Sequence, residues 1–157
     1  MYDNAGSNGE KHIMIAADGT DDGRRAVLYV ADILGGLPGF RATVVHIVAE
    51  PPEDFFRDPA EAERWRTEHK GSAQEMVEKY RTLLVQAGFG EDKVDTEVLI
   101  RRCEPLARCI FEEANRLGAC TVAVGRRDMS TKEEFLHGST ASNLMHLARN
   151  CAVWVVE

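Results

Sequence analysis

The sequence predicts an α/β fold, a single doubly wound domain with a five-stranded parallel sheet and helices on both faces. Three observations carry this. Short apolar runs alternate with stretches of helical periodicity in the order βαβαβαβαβ, an alternation that implies parallel pairing and crossover helices. Turn residues close the runs, as expected of buried strands. The length, 157 residues, fits one hydrophobic core.

The elements follow in order. Lys11 to Ala17 (KHIMIAA) is the first strand, ended by Asp18-Gly19-Thr20. Thr20 and Asp21 are good helix caps, and Val27, Val30, Ala31 and Leu34 recur at helical spacing after them. Gly35-Gly36 stops that helix, and Thr43 to Val48 (TVVHIV) is the second strand. Pro51-Pro52 opens a long connection. A helix then runs from about Pro59 to Ala87, with Trp65, His69, Met76, Tyr80, Leu83 and Leu84 on one side. Val94 to Ile100 alternates apolar and polar residues, which places the third strand near an edge. Pro105 opens a helix striped by Leu106, Ile110, Ala114 and Leu117, and Gly118 closes it. Thr121 to Val124 is a buried strand ending at Gly125. The last helix starts at Gly138-Ser139-Thr140 with Ala141, Leu144, Met145 and Ala148 inward, and Ala152 to Val156 (AVWVV) is the final strand.

Residues 1–10 are polar and glycine-rich and read as a flexible tail, leaving 11–157 as the domain. They lack the basic start and apolar centre of a secretory signal, so a cytoplasmic location is expected. No apolar run approaches the ~20 residues needed to span a membrane. Net charge is −7, which argues against a general nucleic-acid binder. Cys103, Cys109, Cys120 and Cys151 form no C-x-x-C pair and no zinc spacing with histidine, so reduced core thiols are expected. Cys103 stands apart, because its neighbours suggest a loop.

A doubly wound sheet binds ligands beyond the carboxyl ends of its strands, where the strand order reverses. Those ends carry Asp18, Val48-Ala49, Cys103-Glu104 and Gly125-Arg126-Arg127-Asp128. Gly125 directly follows a strand, and Gly138-Ser139-Thr140 opens a helix whose free N–H groups and dipole attract phosphate. Gly138 leaves room for close approach, and the Ser139 and Thr140 hydroxyls add donors. Simple helix capping would use the same residue types.

The Asp18-Gly19-Thr20 turn, the CEPLA start of the third helix and the pattern G-R-R-D-x9-G-S-T together make the chain resemble a universal stress protein, from about Lys11 to Glu157. The resemblance implies that family's fold, also described as adenine nucleotide alpha hydrolase-like. Its nucleotide-binding branch carries G-x2-G-x9-G-[ST], which Gly125, Gly138 and Ser139 match. Carried over by position, Asp18 with Gly19 would hold the adenosine part, and backbone around Val48 would line the adenine. Gly125, Arg126, Arg127, Asp128, Gly138, Ser139 and Thr140 would surround the phosphates. The resemblance also implies a homodimer paired through the last strand, Ala152, Val153, Trp154, Val155 and Val156. Trp154 packing inward under a helix is the other reading.

Asp128 departs from the pattern, standing where the motif has its second glycine. A carboxylate ~5 Å from a phosphate charge costs roughly 1–3 kcal/mol. Arg126 and Arg127 could offset it, Asp128 could face solvent, or it could hold Mg²⁺ against the phosphates. Enzyme signals are thin. There is no G-x4-G-K-[ST] loop and no G-x-S-x-G elbow, so slow ATP hydrolysis is the most the residues suggest. The expected ligand is ATP or a related adenine nucleotide, and the expected role is a nucleotide-responsive stress regulator. The alternatives are a dimeric protein-interaction module that binds no nucleotide, with an unidentified protein partner, and a slow phosphoryl- or nucleotidyl-transfer enzyme using a metal at Asp128.

Overall fold

The computed structural model describes residues 9–126 and 140–157. Among the described residues, five strands, β1 (Lys11–Ala16), β2 (Phe40–Ala49), β3 (Val94–Arg101), β4 (Thr121–Gly125) and β5 (Ala152–Val156), alternate with four α-helices. The helices are α1 (Asp21–Leu34), α2 (Pro59–Gln86), α3 (Leu106–Leu117) and α4 (Thr140–Leu147). The strands form one sheet in the order β3-β2-β1-β4-β5, and every pairing is parallel. The chain builds from β1 outward to β3, then crosses back to lay β4 on the other side of β1. The reversal therefore lies between β1 and β4, which opens a crevice at their carboxyl ends.

The sheet is covered on both faces because its strands are apolar on both. One face buries Ile13, Ile15 and Val44 against α1 and α2, through Val27, Val30, Val77 and Leu84. The other buries Met14, Val45, Ile47, Val122 and Val124 against α3 and α4, through Ala107, Ile110, Ala114 and Leu144. The helices begin where their caps allow. Thr20 accepts the Gly23 N–H at the start of α1 (3.4 Å), and Asp58 accepts the Glu61 N–H at the start of α2 (2.8 Å). At the start of α3, Pro105 offers no side-chain cap.

β3 lies at the sheet edge that its alternation implied. Met145, expected inward, is 58% exposed, because α4 lies at the border of the sheet and covers it with only Ala141 and Leu144. The tail expected over residues 1–10 falls largely outside the described residues, and Glu10 at its end is ion-paired with Lys93. No helix among the described residues is long and apolar enough to cross a membrane.

Candidate functional site at the β1–β4 crevice

A cleft occupies the crevice that the topology leaves. Ala16, Ala17 and Asp18 supply one side from the end of β1, and Val124 and Gly125 supply the other from the end of β4. Val45, His46 and Ile47 of β2, Leu106 and Ile110 of α3, and Thr140 and Ala141 of α4 complete the walls. Its volume is about 100 Å³, below the ~300–1,000 Å³ usual for ligand pockets. Only one end of a nucleotide-sized molecule could lie between these walls.

The β1–α1 turn is held from three directions. The Thr20 backbone N–H donates to Asp18 Oδ1 (3.0 Å), and the Thr20 hydroxyl donates to the same oxygen. The Tyr80 hydroxyl of α2 donates to the Asp18 carbonyl (3.0 Å). Burial and the neighbouring Asp18 carboxylate push the Tyr80 phenol up from its ordinary value, so it remains a donor at neutral pH. His46 Nδ1–H donates to the Ala17 carbonyl (2.9 Å), tying the end of β2 to the same turn.

The first turn of α1 packs directly onto the turn and onto β4. A Cβ on Gly23 would lie 2.7 Å from Asp18 backbone and carboxylate atoms. A Cβ on Gly125 would lie 2.1 Å from the Asp22 carbonyl oxygen. Both positions require glycine because backbone passes backbone without room for a side chain. Gly125 thus has a packing reason of its own. Among the described residues, the charged groups lining the cleft are the carboxylates Asp18 and Asp22, and Asp22 is ion-paired with Arg25. No cluster of three His, Cys, Asp or Glu suited to a metal ion occurs among the described residues.

Of the residues singled out by sequence, Asp18, Gly125 and Thr140 line the cleft together. Gly19 and Val48 are not among the lining residues, though Val45, His46 and Ile47, in the stretch around Val48, are. Arg126, expected at the phosphates, pairs its guanidinium with Glu157 beyond β5. Arg127, Asp128, Gly138 and Ser139 lie outside the described residues. Sequence reasoning passed over His46, Ile47 and Asp22 as lining residues. The one available signal was a polar histidine set inside the apolar run TVVHIV.

The cysteines depart from expectation as well. Cys103, in the loop after β3, is disulfide-bonded to Cys109 in α3, with Cα atoms 5.9 Å apart. The first turn of α3 folds back over that loop and brings the two within ordinary disulfide reach. Cys120 and Cys151 are free thiols at the amino ends of β4 and β5. Burial, with Cys120 alongside, pushes the Cys151 thiol up.

A second, shallower groove runs along β5, lined by Tyr29, Met145, Trp154 and Val156. Trp154 is half-buried and meets Tyr29 of α1 edge to face at 6.2 Å, so it packs under a helix while leaving part of its ring in the groove.

The same architecture recurs in solved structures. Universal stress protein UspA from Lactobacillus plantarum superposes with a TM-score of 0.70 at 14% identity, over 94% of this chain and 97% of that one. A universal stress protein in complex with cAMP gives 0.67 at 16%, over 94% and 96%. A family member from Arabidopsis thaliana with AMP bound gives 0.55 at 16%, over 93% and 90%. No curated protein matches by sequence. The model of the universal stress protein family matches residues 10–157, nearly the entire chain, and the chain belongs to that family.

Proposed function

We propose that the protein binds ATP or a related adenine nucleotide at the β1–β4 crevice and responds to it as a stress regulator rather than a fast catalyst. The observation that carries this is the cleft at the strand-order reversal, with the Asp18 carboxylate on one wall and Ile47, Leu106 and Ile110 on the others. Apolar walls with a well-placed acceptor at Asp18 suit the flat, donor-bearing edge of a base. Only Oδ1 of Asp18 is engaged among the described residues, which leaves Oδ2 for a ligand N–H or O–H. The cleft admits one end of the nucleotide, and the phosphates are assigned by sequence pattern to the segment from Gly125 to Thr140. Two relatives of the same fold carry cAMP and AMP, which supports the adenine class. Mg²⁺, if used, would rest on phosphate oxygens and Asp128. The groove along the edge strand β5 supports a homodimer paired there, since an unpaired apolar edge invites association.

A second reading has its own observations. Gly125 is accounted for by packing, and Arg126 is already paired with Glu157. Both weaken the phosphate end and favour an interaction module that binds no nucleotide. Thermal shift separates the two. Ligand at ~100 times its Kd adds about 2.7 kcal/mol, which raises Tm by about 5–11 °C for a domain of this size. ATP and AMP, each with and without Mg²⁺, should produce such a shift, and Asp18→Ala should reduce it. A flat response to both at millimolar concentration would refute nucleotide binding.

A further inference from the structure

We propose that Cys103 and Cys109 form a thiol–disulfide exchange site for low-molecular-weight thiols, and that its reduction loosens the α3 wall of the cleft. Three observations meet here. First, α3 begins at Pro105, which offers no side-chain acceptor such as Thr20 and Asp58 give α1 and α2, and the Arg108 N–H is held only by the Pro105 carbonyl (3.1 Å) among the described residues. The covalent tie from Cys103 to Cys109 holds that turn in place instead. Second, Leu106 and Ile110, which flank Cys109 on the helix, line the cleft. Slackening the turn moves cleft wall. Third, the two sulfurs differ in access. Cys103 is half-buried at the surface, whereas Cys109 is 4% exposed. Exchange therefore has one entry point. Cys109 Sγ also lies 3.8 Å from the Arg102 carbonyl, an acceptor that the reduced thiol can use. In a thiol-rich compartment such a bond is transient and regulatory rather than a permanent staple.

The chemistry balances with two equivalents of a thiol such as glutathione. The first thiolate attacks Cys103 Sγ. The protein S–S bond breaks, and Cys109 leaves as a thiolate that takes a proton. The second thiolate attacks the thiol-derived sulfur of the mixed disulfide on Cys103, releasing Cys103 as a thiol. Two protein thiols and one low-molecular-weight disulfide result, with two electrons and two protons transferred to the protein. Control of ligand affinity by this site rests on the nucleotide reading above; the exchange site itself does not.

The test uses the full chain, kept oxidised or treated with excess reduced glutathione. Alkylation with peptide mapping should find Cys103 and Cys109 blocked before reduction and both labelled after it. Amide exchange across 106–110 should accelerate at least ~10-fold on reduction. Cys103→Ser should show the fast exchange whether or not thiol is added. Free labelling of both cysteines before reduction would overturn the proposal. So would unchanged exchange after it, or slow exchange in Cys103→Ser. ATP titration of both states completes the test. Weaker binding in the reduced state supports control of the cleft, and equal binding overturns that control. Redox-responsive exchange with no ATP binding in either state leaves the exchange site standing and refutes the nucleotide reading instead.

Discussion

Replacing Gly125 with alanine separates packing from ligand binding at the one motif glycine that the structure describes. The new Cβ would stand 2.1 Å from the Asp22 carbonyl oxygen and 2.4 Å from its carbon. Non-bonded atoms settle at roughly 3.5–4 Å, so the end of β4 and the first turn of α1 must part by more than about 1 Å. Neither side yields easily. Both obstructing atoms are backbone, and Gly23, the next residue of α1, is already pressed onto Asp18. Overpacking of this kind costs typically 1–3 kcal/mol, and a wedge between two backbones belongs at the upper end. A loss of about 3 kcal/mol lowers Tm by about 6–12 °C in a domain of this size. Thermal and urea melts of the ligand-free protein read it directly. If Gly125→Ala melts with the wild type while its response to ATP is lost, the glycine serves the ligand and the packing argument is wrong.

Two further outcomes follow from other parts of the fold. His12 donates from Nδ1 to the Leu117 carbonyl (3.2 Å), and its Nε2 accepts from the Thr43 hydroxyl (2.6 Å), an arrangement that fits the neutral ring. Burial, with Arg41 nearby, holds its pKa below the ordinary 6.5, so the unfolded chain takes the proton first as pH falls. The stability it contributes is present above about pH 6.5 and is lost as pH drops from there through the native value. Urea melts of wild type and His12→Gln between about pH 8 and 5 should show a shallower slope for the variant; parallel slopes would reject the assignment. Gly71, in the middle of α2, has nothing within 4 Å of its missing Cβ. Gly71→Ala should therefore stabilise by about 0.5–1 kcal/mol, raising Tm by about 1–4 °C, and a lower Tm would count against it.

The strand and helix order was legible because each element carries its own period and its own stop. Val27, Val30 and Leu34 recur on a helical stripe and are all buried. What was not legible depends on relations between elements. The run from Thr43 to Val48 is largely apolar and buried on both faces, with His46 as its one polar interruption near the cleft, so alternation does not mark which of its residues reach the site; Val45, His46 and Ile47 do. Met145 fits the inward stripe of α4 only if the sheet extends beneath it, and the sheet ends there. The pairing of Cys103 with Cys109 depends on how α3 turns back over its loop, which spacing alone does not encode. The pairing of Arg126 with Glu157 was not legible either, because the two residues are distant in sequence.

The place of β1 in the sheet has a consequence for the chain as it leaves the ribosome. β1 pairs with β2 soon after synthesis, but its other neighbour, β4, is in register through Ile13↔Thr121, about a hundred residues later. At about 5–20 residues per second, the inner edge of the central strand stays unpaired for roughly 5–20 s. During that interval Ile13, Met14 and Ile15 sit beside an open hydrogen-bonding edge, the arrangement most prone to pairing with a neighbouring chain. The crevice therefore closes late, only once β4 and the α4 residues that line it have emerged, and a nascent-chain chaperone would find a long-lived target along the strand that ends at Asp18.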